Sequence, residues 1–475
     1  MYGTHLRQPR NYQFERGWSM TAFVYRNAHL LTQDPVFGEL TGDLLVIDDR
    51  IVDIGVAIEV PENAESIDAT GLVIVPGFID THRHMWETTL RGAAAWEDWI
   101  GYARIIRSEF GGLVTPEDVY AGDLLGALGA LEAGITTIRD ESHVQNSPEH
   151  TEAVMQGLVD GGGRAVLAYG WPSIDTYAWR SQDNPRRHPT YIEEVYRRTP
   201  TVAEGRVSFA LMLRGPEFSG IEVTRADLEW ARDLGLRSSM HIGGMESSRL
   251  RGIEALARQG LLGPDLLFIH CCMTSDEELR MIADSGGSVS VAAYIELAMP
   301  GLGAPATSRL MAAGIRPSLS IDAEPSAPGD MFSVMRSALL ADSAAQVFTG
   351  ASPVIKLTER DVLAFATIEG ARSSGLDKEI GSLTPGKAAD FAVLDLRQPG
   401  VSAAIDPVSA VVNHGHPGAV VDVVVAGRYV KRGGRMVDQV LVDHAVDLAE
   451  QSRDRLMSGR ARLLESAAAS SLPPR

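Results

Sequence analysis

Between residues 72 and 375 or so, the chain switches its apolar period again and again. Short runs rich in β-branched and apolar residues give way to longer amphipathic ones, eight times in order. The short runs are LVIVPGFIDTHRH, GITTIRDESH, RAVLAYG, RVSFALML, LRSSMHIG, LLFIHCC, GSVSVAAY and RPSLSID. Between most of them lie stretches of helical period, such as PEDVYAGDLLGALGALEAG, TRADLEWARDLG, SDEELRMIADSG and ATSRLMAAG, several closing on a glycine suited to a helix C′ position. Strands that alternate with helices pair in parallel, because each helix returns the chain to the edge it left. Eight such units predict an α/β protein built on a closed (β/α)8 TIM barrel.

The two ends of the chain read differently. AFVYRNAHLLT, GDLLVIDDRIVDIG and SIDATGLVIVPG are short strands punctuated by Gly, Asp and Pro, and KAADFAVLDL, DVVVAGRYV and GGRMV repeat that character near the other end. Both ends are expected to combine in one small β-sandwich domain that flanks the barrel. The expected organisation is a flexible extension over 1–19, sandwich strands over 20–76 and 384–438, the barrel over 77–383, and a helix and tail over 439–475. Met20 is an alternative start, and residues 441–465 read as a polar, exposed helix.

Charge and composition narrow the function classes. With 43 basic against 62 acidic residues the net charge is −19, which argues against binding through nucleic-acid phosphates. No window approaches the roughly 18–20 uninterrupted apolar residues of a membrane span. The first twenty residues lack the apolar core of a secretory leader, so a cytoplasmic location is expected. Cys271 and Cys272 are adjacent and have no third cysteine to pair with, so no disulfide framework is expected. Only four lysines occur, the first at Lys356. No Schiff base, P-loop lysine or carbamylated metal-bridging lysine can come from the stretch before it.

Barrels of this type place their chemistry at the C-terminal ends of the strands. The first strand ends in His82-Arg83-His84, and residues two apart on a strand share a face, so the two imidazoles point one way and Arg83 the other. The fifth strand ends at His241, the sixth at His270 and the eighth at Asp322. A His-x-His pair alone is weak evidence, and a lone histidine at a strand end is commonly a hydrogen-bonding residue. The coincidence of all five at predicted strand ends points to a site for a divalent metal.

VPGFIDTHRH, the two later histidines and SLSID resemble the amidohydrolase superfamily, nearest its cytosine deaminase and chlorohydrolase-like branch. EIGSLTPGKAADFAVLD followed by VVVAGRYV resembles the second half of that family's β domain, so the resemblance spans about 20–440. It implies that His82, His84, His241 and Asp322 bind one metal, usually zinc and sometimes iron, and that His270 contacts the metal-bound water or the substrate. The absence of an early lysine disfavours the two-metal, carbamate-bridged branch. A bound divalent metal lowers the pKa of its water from about 15.7 toward about 7. Asp322 is then the expected base, and the expected reaction is hydrolysis of a C–N bond in a small heterocyclic or aromatic substrate, by deamination or by opening of a cyclic amide or amidine.

One departure bears on the reaction. Deaminases of this branch carry His-x-x-Glu after the fifth strand, where the Glu shuttles protons. Here Gly244 stands at the Glu position, and Glu246 is the carboxylate that could reach in from the loop or simply be solvated. A lyase or cyclase acting on a natural-product-like molecule is therefore the alternative. Candidate substrate contacts come from the other strand ends and loops: Trp86, Trp96, Trp99, His143, Trp171, Arg214, Tyr294 and Glu296. Three of the seven tryptophans crowd the first βα loop, which suits a flat ring or, equally, packs the loop itself. The expected partners are a small-molecule substrate and further copies of the chain, as a dimer or tetramer.

Overall fold

The computed structural model describes residues 21–198, 205–349 and 355–470. The expected extension over 1–19, Met20 and the end of the tail lie outside the described residues. Five strands open the chain: β1 (Ala22–Leu31), β2 (Glu39–Ile47), β3 (Arg50–Gly55), β4 (Glu65–Asp68) and β5 (Leu72–Pro76). Eight follow: β6 (Phe78–Arg83), β7 (Ile135–Ser142), β8 (Arg164–Tyr169), β9 (Val207–Met212), β10 (Arg237–Ile242), β11 (Leu266–His270), β12 (Ser288–Val291) and β13 (Ser318–Leu319). The last four are β14 (Phe391–Asp395), β15 (Val420–Val425), β16 (Arg428–Arg432) and β17 (Arg435–Met436).

β6 to β13 form one eight-stranded sheet in sequence order, every neighbouring pair parallel. The ring closes beside the future site: Asp322 N donates to His82 O at 2.9 Å and His84 N to Asp322 O at 3.0 Å. All residues of β7 and β8 are buried, and burial on both faces explains why β8, RAVLAY, reads as a nearly continuous apolar run rather than an alternating one. Inside the barrel, Thr81 Oγ1 lies 2.7 Å from Ser290 Oγ and 2.9 Å from Ser318 Oγ, and donates to Leu319 O at 2.9 Å. This buried hydroxyl cluster satisfies its own members and ties β6 to β12 and β13.

The run LVIVPGFIDTHRH, expected as one strand, divides at Gly77. β5 belongs to the small domain and β6 to the barrel. A Cβ at Gly77 would sit 2.0 Å from Thr136 Oγ1, so the crossing is too close for any side chain. β5 pairs antiparallel with β14, from Leu72 opposite Asp395 to Pro76 opposite Phe391. That ladder joins the two chain ends in a nine-stranded sheet of order β17-β16-β15-β14-β5-β1-β2-β3, with β4 beside β1. The small domain has its own core, including Tyr25, Leu44, Val46, Ile74, Phe391 and Val424. The Tyr25 hydroxyl donates to Asp422 Oδ2 at 2.6 Å inside it. Arg164 pairs with Asp390 at 2.9 Å and Lys431 Nζ donates to Glu132 O at 2.7 Å, so both seams between domain and barrel carry charge-assisted bonds.

The C-terminal helix runs Gln439–Ser470 and differs from the exposed helix expected over 441–465. Ala445, Ala449, Ser452 and Leu456 recur at helical spacing and are buried. Ser452 Oγ donates to Asp118 Oδ1 at 2.7 Å and Arg455 pairs with the same carboxylate, which belongs to the capping box of helix Pro116–Glu132. The polar sequence concealed this face because small residues and a serine supply the contact. No helix among the described residues is long and apolar enough to cross a membrane.

Candidate active site

The rim of the barrel gathers the residues that the strand ends supply. The His82 ring lies 4.7 Å from His84, 4.9 Å from His241 and 5.8 Å from His270, centroid to centroid. Ligand atoms of His82, His84 and His241 fall within 4.8 Å of one another, and so do those of His82, His270 and Asp322. Asp322 Oδ1 is 3.1 Å from His82 Nε2 and 3.5 Å from His84 Nε2, and Oδ2 is 3.7 Å from His270 Nε2. Asp322 (φ 70°) and His270 (φ 74°) both occupy the left-handed region, an unfavourable backbone for these side chains that places them over the mouth.

Neighbouring residues orient each imidazole. His84 Nδ1 lies 2.7 Å from the backbone oxygen of Glu141, so it carries the proton and leaves Nε2 as a donor atom. Glu296 Oε1 stands 3.0 Å from His270 Nδ1 and also accepts from Ala292 N at 2.9 Å, so the carboxylate is fixed before it fixes the ring. Glu141 Oε2 is 3.3 Å from His82 Nδ1, and Arg139 holds the same carboxylate at 3.2 Å. Arg83 points away from the mouth, as its strand parity requires, and pairs with Glu324 and Asp80.

The electrostatics suit a cation. Burial, helped by the charge of His82, pulls His84 down to about 3, and burial carries His241 well below its ordinary range. Both rings are neutral at physiological pH, the state that coordination needs. Burial also opposes charge on His82, but the carboxylates of Glu141 and Asp322 outweigh it and push that group up to about 10. For Asp322, burial works against ionisation, yet His82 and the other imidazoles bring it down to about 2. Two carboxylates thus favour positive charge at the centre of a ring of imidazoles. These donors fit a divalent metal of intermediate hardness.

A cavity opens over the cluster. His84, His241, His270 and Asp322 line it, with Trp99, Tyr102, Arg107, Trp171, Arg180 and Phe218 from the loops. Trp99 and Trp171 are therefore at the cavity, as the sequence suggested. Trp86 and His143 lie behind the ligands: Trp86 Nε1 donates to His143 Nδ1 at 3.3 Å, and the His143 ring packs 3.9 Å from that of His84. Trp96 is 77% exposed. Arg214 donates to the backbone oxygens of Trp179 and Arg186 and so braces the loop after β8. Tyr294 is partly buried and does not line the cavity, and Glu246 is exposed on its loop.

Among the lining residues that escaped the sequence reading are Tyr102, Arg107, Arg180 and Phe218. They sit in long connections whose path no local pattern dictates. Glu87 lies on the connection after β6. It is fully buried, accepts the Tyr102 hydroxyl at 2.7 Å and is pushed up to about 8, chiefly by burial. Glu217 accepts Gly243 N at 3.0 Å and is pushed up to about 7, again chiefly by burial.

The amidohydrolase family profile matches residues 73–430, three quarters of the chain. The chain belongs to the amidohydrolase family. It is 27% identical over 462 residues to a 5'-deoxyadenosine deaminase of Methanosarcina mazei, covering 92% of this chain and 100% of that one. Among solved structures it is similar to a zinc-bound adenosine deaminase from Xanthomonas campestris, with TM-score 0.78, 20% identity and coverage of 92% and 99%. It is also similar to an atrazine chlorohydrolase from Arthrobacter aurescens TC1 in complex with zinc, with TM-score 0.76, 20% identity and coverage of 90% and 100%. These two likenesses show the shared fold. As an amidohydrolase, the protein is a metal-dependent hydrolase that acts on a C–N bond of a small molecule.

Proposed function

We propose that this amidohydrolase deaminates an adenine-type heteroaromatic compound, using one divalent cation, zinc in preference to iron, held by His82, His84, His241 and Asp322. The observation that carries the reading is the meeting of these four residues and His270 in one cluster, of which His84, His241, His270 and Asp322 line the cavity. When bound, the cation supplies Lewis acidity and a water of lowered pKa as nucleophile. Asp322 stays ionised and takes the proton of the attacking water. His270, its ring fixed by Glu296, offers Nε2 to the developing charge on the substrate. Trp99 and Trp171 supply flat apolar surface for a planar ring. Gly244 leaves no carboxylate at the usual shuttle position, so Asp322 also passes its proton to the leaving nitrogen. The names of the relatives support an adenine ring as the target.

We further propose a cytoplasmic homo-oligomer, with the barrel and β domain divided near 76 and 383. The buried free thiols Cys271 and Cys272 support the location, and exposed Leu340, Val347 and Phe348 on helix Met331–Thr349 support the assembly. The test of function is ammonia release from adenosine and 5'-deoxyadenosine by protein of measured metal content. One equivalent of zinc with turnover of either compound is expected. Fully metal-loaded protein that releases no ammonia from any adenine-type compound would sink the reading.

A further inference from the structure

The cavity holds more positive charge than deamination of a neutral ring requires. Among the described residues five arginines are buried: Arg83, Arg107, Arg139, Arg164 and Arg214. Four of them face a carboxylate within ion-pair distance, namely Glu324, Glu141, Asp390 and Asp227 respectively. Arg107 is the exception. It is 4% exposed, lines the cavity, and among the described residues makes no ion pair. Its Nη2 reaches Thr176 Oγ1 at 3.3 Å, and its Nε has no hydrogen-bond partner.

A second guanidinium stands in the same cavity. Arg180 lies 3.9 Å over the ring of Phe218 and 4.9 Å over that of Trp99, and among the described residues it too makes no ion pair. Stacking holds its plane without using its N–H groups, which stay free to donate in the plane. The two cations act on each other: burial, then the charge of Arg107, brings Arg180 down to about 9, which still leaves it charged at neutral pH. Glu87 acts on Arg107 through its charge, but among the described residues it makes no ion pair with either arginine, and its Oε1 accepts the Tyr102 hydroxyl. Two unpaired cations lining one cavity, one of them buried, are unfavourable in an empty protein. They become favourable when an anion arrives, and planar guanidinium forks match carboxylate and phosphate oxygens.

We propose that Arg107 and Arg180 form an anion subsite, and that the substrate is a heteroaromatic compound carrying a carboxylate or phosphate group. This inference rests on the deaminase reading for the ring, and on the two arginines for the anion. It assigns these residues to substrate selection, with the metal cluster left to the reaction.

The test separates binding from turnover. Calorimetry on metal-loaded protein compares benzoate, phenyl phosphate and the neutral near-isostere benzamide. Both anions are expected to bind and benzamide is not. Arg107→Gln and Arg180→Gln should each weaken the anions by about tenfold to a hundredfold, the range for a charge-assisted bond lost from a buried site. Arg107→Lys and Arg180→Lys keep the charge and should recover part of the loss, with folding checked by an unchanged denaturant melt. Benzoate binding that persists unchanged in both Gln variants sits on the metal and overturns the subsite. So do equal affinities for benzoate and benzamide, or no binding of either anion. Turnover of adenosine, its 5'-carboxylate and its 5'-phosphate then separates the sources, with the higher kcat/KM naming carboxylate or phosphate. If none of the three releases ammonia while the anions still bind through the arginines, the deaminase reading fails and the anion subsite stands. If adenosine reacts as well as both anionic forms and the Gln variants change nothing, the reverse holds.

Discussion

Two groups of side chains share one cavity and are built in different ways. The histidine–aspartate cluster comes from the ends of β6, β10 and β11 and the residues just past β13, and its supports Glu141 and Glu296 stand on β7 and just past β12. Neighbouring strands of a closed sheet fix these positions relative to one another. The arginine–aromatic group comes from connections: Trp99, Tyr102 and Arg107 after β6, Trp171 and Arg180 after β8, Phe218 after β9. Each imidazole of β6 and β11 has a carboxylate or carbonyl orienting it, whereas among the described residues the two arginines have none. Rigid elements hold the atoms that react, and loops hold those that choose the ligand.

The comparison breaks most visibly at the strand ends. His82→Ala with His84→Ala should abolish stoichiometric metal and lower turnover roughly a thousandfold or more, by metal analysis and ammonia release. Binding of phenyl phosphate should survive in that variant, since the arginines are untouched. Loss of both functions together would show that the two groups are one unit.

A loop carboxylate provides the next test. Glu217 is raised from its ordinary value to about 7, so the folded state holds its proton more tightly than the unfolded chain does. Its penalty is therefore absent below the ordinary carboxylate range, grows as pH rises, and is complete above about 7. Glu217→Gln should gain stability relative to the wild type across that window, by up to about 3 kcal/mol, read from denaturant melts at several pH values. A pH-independent difference would place the burial cost elsewhere.

Glu141→Gln should cost about tenfold to a hundredfold in metal affinity, measured by competition with a chelator, because His82 loses the carboxylate beside its Nδ1. An unchanged affinity would mean that β7 contributes only packing. The smallest effect is expected from Gly244→Glu. A Cβ there meets only Ser247 Oγ at 3.2 Å, a side chain able to move, so the substitution can be accommodated. It should raise deaminase kcat by about tenfold if proton delivery limits the reaction. No change would show that Asp322 already suffices.

Particular residues show what could be read without coordinates. His82 and His84 were legible because strand parity puts them on one face, and His241, His270 and Asp322 because each closes an apolar run. The eight-strand order followed from the alternation of periods. The boundary drawn between residues 76 and 77 runs through LVIVPGFIDTHRH, but the close approach of Thr136 to Gly77 at that point was not legible, since both halves are equally apolar. Nor was the buried face of the last helix, whose alanines and serine look like solvent residues until Asp118 arrives beneath them. Among the aromatics after β6, composition could not tell Trp99 at the cavity from Trp96 in solvent.

The sequence by itself determined the barrel, the two-ended β domain and the set of metal-type donors, because short-range period and parity decide which way a strand residue faces. Only the tertiary structure decided that, among the described residues, Arg107 and Arg180 line the cavity without an ion pair while the buried Arg83, Arg139, Arg164 and Arg214 meet carboxylates. A charged side chain in a loop finds its partners through the path of the whole chain, and no local pattern encodes that path.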